Sequence, residues 1–269
     1  MRTHQLADLT AAVRGAEATS THRGFAAYLM TGFGRDPSKP YLTWYDDATG
    51  ERIELSYATF ANWVWKSANY LRDGLDVQTG DEVGVLLRTH WQTVAIWYAG
   101  WAAGAVVVPL TLDTLAGASP VAVFAQEDTL PAVVAAGIAP GAVVGLALRP
   151  MGGRLTAAYA GVEDYAVEVP GYGDHFTPGP PGSSALPGRS VAQVLGGAAA
   201  AAAVLALQSG DRVLCTADVV DADAFVGTAL AVFQAGAGLV LSPRPDEGRL
   251  ERRCTDELIT VRIAGAAGS

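Results

Sequence analysis

Lysine is nearly absent from this chain. Lys39 and Lys66 are the only two in 269 residues, against 16 arginines, so no lysine-dependent chemistry is available beyond position 66. Cysteine is equally scarce. Cys215 and Cys254 form no Cys-x-x-Cys pair and are too few for a disulfide framework or a zinc site. Two reduced, buried thiols are expected, with a cytoplasmic location. Of the four histidines (His4, His22, His90 and His175) none stands at a metal-ligating spacing. Positive charge is short overall, and the net charge of −9 argues against a nucleic-acid partner, which would need a basic face. Long apolar runs are also missing. Val191–Leu207 is interrupted by Gln193, contains the Ala198–Ala203 tract, and falls below the roughly 20 residues that span a bilayer, so no membrane span is expected. The first twenty residues carry Asp8 and Glu17 and no unbroken apolar stretch, unlike a signal peptide.

What is present is apolar and periodic. Hydrophobic residues make up 50% of the chain and charged residues 17%, the balance of a globular protein. Residues 1–40 read as helix, then loop. Tyr41–Tyr45 and Ile53–Leu55 read as strands around the turn-rich Asp46–Arg52, and Ser56 caps a helix running to about Arg72. From Val83 onward, short continuous apolar strands alternate with helices, which predicts parallel sheets covered by helices. Asp164–Val169 alternates like an edge strand, and Pro170–Ser190 is a Gly/Pro/Ser-rich loop. The expected organisation is a first α/β subdomain over 1–163, the edge strand and loop over 164–190, and a second α/β subdomain over 191–269. A repeat links the two. Thr79-Gly80-Asp81 and Ser209-Gly210-Asp211 each precede a strand, and Ala103-Gly104-Ala105 and Ala235-Gly236-Ala237 each precede the next.

Ser56-Tyr57-Ala58-Thr59-Phe60, Gly80-Asp81-Glu82-Val83-Gly84-Val85 and the run Trp97–Pro109 resemble the N-terminal part of the AMP-forming adenylating superfamily of acyl-CoA synthetases, luciferase and adenylation domains. Gly210-Asp211-Arg212-Val213-Leu214 and the run to Ala264 resemble its following subdomain. Asp164–Phe176 resembles a short, uncharacterised, high-GC bacterial subfamily that holds only this front portion. The resemblance implies an α/β fold of two related subdomains, with mostly parallel sheets flanked by helices. It also implies a phosphate loop of the form [ST]-[SG]-G-[ST]-T-G-x-P-K, whose amides cradle ATP. That place holds Thr177, Gly179, Gly182, Ser183, Ser184 and Arg189 among Pro178, Pro180, Pro181 and Pro187, which lack amide donors. No lysine is there, and Arg189 is a planar fork rather than a point charge. These six residues are the candidate cofactor-binding set, as a degenerate phosphate loop for AMP or ATP. The superfamily's later adenine, ribose and catalytic-lysine segments have no counterpart, and no catalytic residue is assigned.

The expectation is therefore a truncated, non-catalytic pseudoenzyme that binds a partner or a ligand. A protein partner or a second copy would use an unpaired C-terminal sheet edge at Thr260–Ala264. The alternatives are residual AMP, acyl-adenylate or acyl-CoA binding, and a half-enzyme completed by a separate chain in acyl activation. A hydrolase through Ser190 and His175 would require a strand-borne nucleophile elbow, whereas Ser190 follows a Pro-Gly turn and suits a helix N-cap. The six tryptophans, all within residues 44–101, read chiefly as core.

Overall fold

The computed structural model describes residues 1–18, 22, 24–137, 142–149 and 152–265. The chain runs β1 (Arg2–Gln5), α1 (Leu6–Gly15), α2 (Phe25–Phe33), β2 (Pro40–Asp46), β3 (Glu51–Ser56), α3 (Tyr57–Asn69), β4 (Glu82–Leu86) and α4 (Trp91–Ala102). It continues through β5 (Val106–Pro109), α5 (Leu112–Leu115), β6 (Ala122–Gln126), α6 (Leu130–Ala136), β7 (Ala142–Leu146), β8 (Val162–Asp164) and α7 (Tyr165–Glu168). It closes with β9 (Ser184–Leu186), β10 (Arg189–Ser190), α8 (Val191–Val204), β11 (Arg212–Cys215), α9 (Ala222–Phe225), α10 (Ala231–Ala235), β12 (Gly238–Leu241), α11 (Glu247–Asp256) and β13 (Val261–Ala264). Two compact units result: Met1–Thr21, Thr31–Phe60 and Ala192–Ser269 in one, His22–Met30 and Ala61–Val191 in the other.

Among the described residues, the first unit holds a six-stranded sheet in the order β1-β13-β11-β12-β2-β3. All pairs are parallel except β2 with β3. Every residue of β12 is buried, as expected for a central strand covered on both faces, whereas β3 alternates and borders solvent. Phe33, Tyr41, Tyr57, Phe60 and Phe233 fill the core with ring centroids 4.7 to 6.0 Å apart. A Cβ on Gly32 would lie 2.4 Å from the Phe233 ring, so this packing requires glycine. The expected open edge at the C-terminal strand is corrected: β13 pairs on one side with β11 and on the other with β1. Arg2 secures this pairing through Ala206 O (2.7 Å) and Asp211 (2.8 Å). Four mostly exposed residues at the head of an expected helical stretch gave no period from which β1 could be read.

The second unit holds a five-stranded parallel sheet, β5-β4-β6-β7-β8. All of α4 is buried. Leu86, Leu110, Val123, Leu130, Val133 and Val143 form a continuous apolar cluster. The edge strand expected at Asp164–Val169 sits earlier, at Val162–Asp164. The Asp164 side chain accepts from Ala166 N (2.9 Å) and so starts α7, where the alternating pattern predicted more strand.

The repeat holds in three dimensions. Gln78 N and Gln208 N each donate to the aspartate three residues on, both at 2.8 Å. Val106 N donates to Asp81 O, and Gly238 N to Asp211 O, at the same place in each half. Gly104 and Gly236 both take left-handed φ (84° and 69°), but only the first of the earlier glycines does, Gly80 at 93°; Gly210 has no positive φ. Among the described residues, no helix is long and apolar enough to cross a membrane.

Candidate functional site

Residues 170–190 contain every residue expected for nucleotide binding. Their backbone is held mainly through its carbonyls. Lys66 donates to Pro170 O (3.0 Å) and Tyr172 O (2.5 Å). Asn69 Nδ2 donates to Gly173 O and His175 O, both at 2.8 Å. Arg72 donates to Thr177 O (2.8 Å), and Thr79 to Pro180 O (3.1 Å). Lys66, Asn69 and Arg72 are spaced three apart, on one face of α3 and the turn that continues it, so one row of side chains grips one stretch of strap. Phe176 is the apolar anchor. It stacks on Trp65 (centroids 5.9 Å, planes 5° apart), and the Arg72 guanidinium lies 4.8 Å from its ring centre.

The six expected residues do not converge. Thr177 and Gly179 lie on the exposed strap. A Cβ on Gly182 would stand 2.7 Å from Gly104 O, so that glycine serves a close backbone approach. Ser183 O accepts from Val191 N (3.0 Å) at the start of α8. Ser184 and Arg189 belong to the small antiparallel pair β9–β10, which turns through Gly188 at φ 68°. Pro178, Pro180 and Pro181 contribute no N–H, so the run of adjacent amides that cradles a phosphate is broken at three places.

The other candidates resolve into structure. His90 caps α4, its Nδ1 accepting from Gln92 N (3.2 Å), and burial drives its pKa well below the ordinary range, so it stays neutral. The His175 ring is fully exposed beside Asp174 (2.9 Å). Ser190 closes β10 directly ahead of α8, the position of a helix cap rather than of an elbow after a central strand. No group of three His, Cys, Asp or Glu among the described residues can hold a metal. Tyr70 OH donates to Glu163 (2.6 Å), and burial followed by this bond pushes its pKa far up. Sequence reasoning missed Lys66, Asn69, Arg72 and Thr79 as partners of the strap. The one available signal was the i, i+3 spacing of Lys66, Asn69 and Arg72, which usually marks a solvated face; Thr79, in the turn before β4, carried none.

In the other unit the densest polar cluster joins Arg52, Arg212, Tyr45 and Glu54 around Glu257, with Arg253 paired to Asp47. Arg253 also donates to Ser242 (2.6 Å) and lies 4.1 Å from the Tyr45 ring centre. Each of these carboxylates meets arginine, so the cluster is internally satisfied and ties α11 to β2, β3 and β11.

Comparison with known proteins agrees with this architecture. A family model described as "AMP-binding enzyme" matches residues 32–125. An acyl-CoA synthetase of Brucella canis superposes with a TM-score of 0.75 at 16% identity, over 97% of this chain and 50% of that one. The inhibitor-bound N-terminal domain of FACL13 from Mycobacterium tuberculosis gives 0.70 at 15% identity, over 90% of this chain and 62% of that one. The chain thus spans about half the length of a solved synthetase, and at such identities these two matches establish the fold alone. A "TIGR03089 family protein" of Mycobacterium tuberculosis H37Rv is 41% identical over 225 residues, 84% of this chain and 91% of that protein. With that identity sustained over most of both chains, this protein belongs to the TIGR03089 family.

Proposed function

We propose that this protein is a synthetase-like chain that does not form adenylates and acts instead by binding a ligand or a partner. The observation that carries this reading is the strap. Where the superfamily places amides and a lysine against phosphates, this chain has prolines, and six carbonyls are drawn onto Lys66, Asn69, Arg72 and Thr79. Carbonyl dipoles satisfied in this way leave Lys66 and Arg72 with protein acceptors. Adenylate formation depends on positive charge and donors fixed around the transferring phosphoryl group. Residues 67–269 contain no lysine to restore that charge.

The test is an ATP–pyrophosphate exchange assay across carboxylic acid substrates, run beside thermal-shift titrations with ATP, AMP, CoA and a non-hydrolysable acyl-adenylate analogue. A ligand that binds only the folded state stabilises it by about 2.7 kcal/mol at a hundred times its Kd. The expected outcome is no exchange and no saturable shift with ATP. A saturable shift with AMP or the analogue identifies the bound ligand as a nucleotide while leaving the chain non-catalytic. Acid-dependent exchange overturns the reading.

A further inference from the structure

Beneath the strap, wholly within the second unit, lies a slot of about 200 Å³. Its floor is the Phe25 ring stacked on Trp101, with centroids 4.4 Å apart and planes 13° apart. The indole is held in place because Trp101 Nε1 donates to Ala185 O (2.8 Å). The wall above is the strap from Pro178 to Gly182. Two glycines set how close that wall comes. A Cβ on Gly24 would meet the Pro181 Cβ at 2.8 Å, and one on Gly182 would meet Gly104 O at 2.7 Å. Between these contacts the strap stands clear, and a Cβ on Gly179 would meet nothing within 4 Å.

No ionisable side chain lines the slot. Two of its backbone carbonyls are already engaged: Pro180 O accepts from Thr79, and Gly104 O from Gly80 N (2.9 Å). A space of this kind offers water few partners, and an apolar cavity of about 150 Å³ is enough to hold benzene. We infer that the slot between the Phe25–Trp101 pair and the Pro178–Gly182 strap is a binding site for an uncharged, single-ring aromatic group of a small ligand. The ring stacks against the fixed aromatic floor, and the proline rings close over its edge. This inference is independent of the reading given above, since the slot takes its ring whether or not any nucleotide binds elsewhere.

The experiment is a titration of the full chain with benzyl alcohol, followed by amide chemical shifts, with benzoate as the charged counterpart. Saturable shifts are expected at Gly24, Phe25, Ala102, Gly104, Gly179 and Gly182. Benzoate is expected to bind about tenfold more weakly or worse, because its carboxylate would lose water against an apolar wall. Gly179 lines the slot, and Gly179→Leu is expected to abolish binding while the rest of the spectrum stays unchanged. Ala27→Leu, on the opposite rim, is expected to do the same and serves if the first variant does not fold. The inference is overturned by shifts that stay linear to the solubility limit, by shifts centred on other residues, by equal affinity for benzoate, or by a folded plug variant that binds as the native chain does.

Discussion

Two glycines only three positions apart on the strap do opposite work. Gly182 lies against Gly104 O, where a Cβ cannot fit without moving backbone, whereas Gly179 faces open space at an ordinary φ. Gly182→Ala is therefore expected to destabilise by about 1–3 kcal/mol, the usual range for overpacking. Gly179→Ala is expected to be neutral or to stabilise by up to about 1 kcal/mol through the unfolded chain. Urea denaturation of the pair decides it, and equal midpoints would refute the assignment. Of the two thiols expected to be buried, Cys215 is buried, whereas Cys254 is only half-buried. Burial pushes Cys215 up to about 12, and burial also raises Cys254. Neither is a reactive thiolate at neutral pH. Iodoacetamide is expected to label Cys254 slowly and Cys215 only after denaturation. Rapid native labelling of Cys215 would contradict its placement.

At the scale of elements, α3 and the turn after it act as a clamp on the strap. Asn69→Ala removes the donor that two carbonyls share, at a cost of about 0.5–1.5 kcal/mol per hydrogen bond lost. Its signature is local: faster amide exchange over residues 170–183, with the five-stranded sheet unchanged. Uniform exchange across the second unit would mean that the clamp is not local. The elements themselves were largely legible. Continuous apolar strands, the cap at Ser56 (accepting from Thr59 N at 3.2 Å) and the left-handed glycines Gly104 and Gly236 after helices are short-range signals, and each appears where its residues predict it. The strap's partners were not legible, because a loop's carbonyls have no sequence signature and the side chains that seek them lie about a hundred positions away. The β1 strand was missed for the same reason. Its pairing with β13 is fixed by register with Val261–Ala264 and by the bonds of Arg2 to Ala206 O and Asp211, partners that no local window contains.

Across the whole molecule, carboxylates held below their ordinary range occur in both units, but Asp73 and Asp174 of the second are exposed and Glu127 is half-buried, whereas those of the first are more deeply buried. Asp47, Asp211 and Glu257 all belong to the first unit, and in each burial raises the carboxyl but is outweighed. Arg253 and the Asp246 amide lower Asp47; Thr260, the Gln208 amide and Arg2 lower Asp211; Tyr45, Arg212 and Arg52 lower Glu257. Their folded-state values therefore lie below the unfolded ones. The stability they contribute is complete above the ordinary carboxylate range of about 4 and is lost as pH falls through the lowered folded-state values. Acid titration is expected to open the first unit before the second. Of the six tryptophans only Trp44 lies in the first unit, so exchange at α11 and β2 should rise while most tryptophan emission persists. Simultaneous loss of both signals would refute the order.

The pairing of Arg2–Gln5 with Val261–Ala264 also has a consequence in time. A ribosome delivers everything the second unit requires by about Val191, while the sheet of the first still lacks three of its strands: β11, β12 and β13. Residues 2–5 must therefore wait without their partner until Val261–Ala264 have been made. The closing step joins segments at opposite ends of the described chain, the kind of long-range contact that slows folding. During that interval one unit can be complete while the other is not, and a chaperone that shields β1 would act there first.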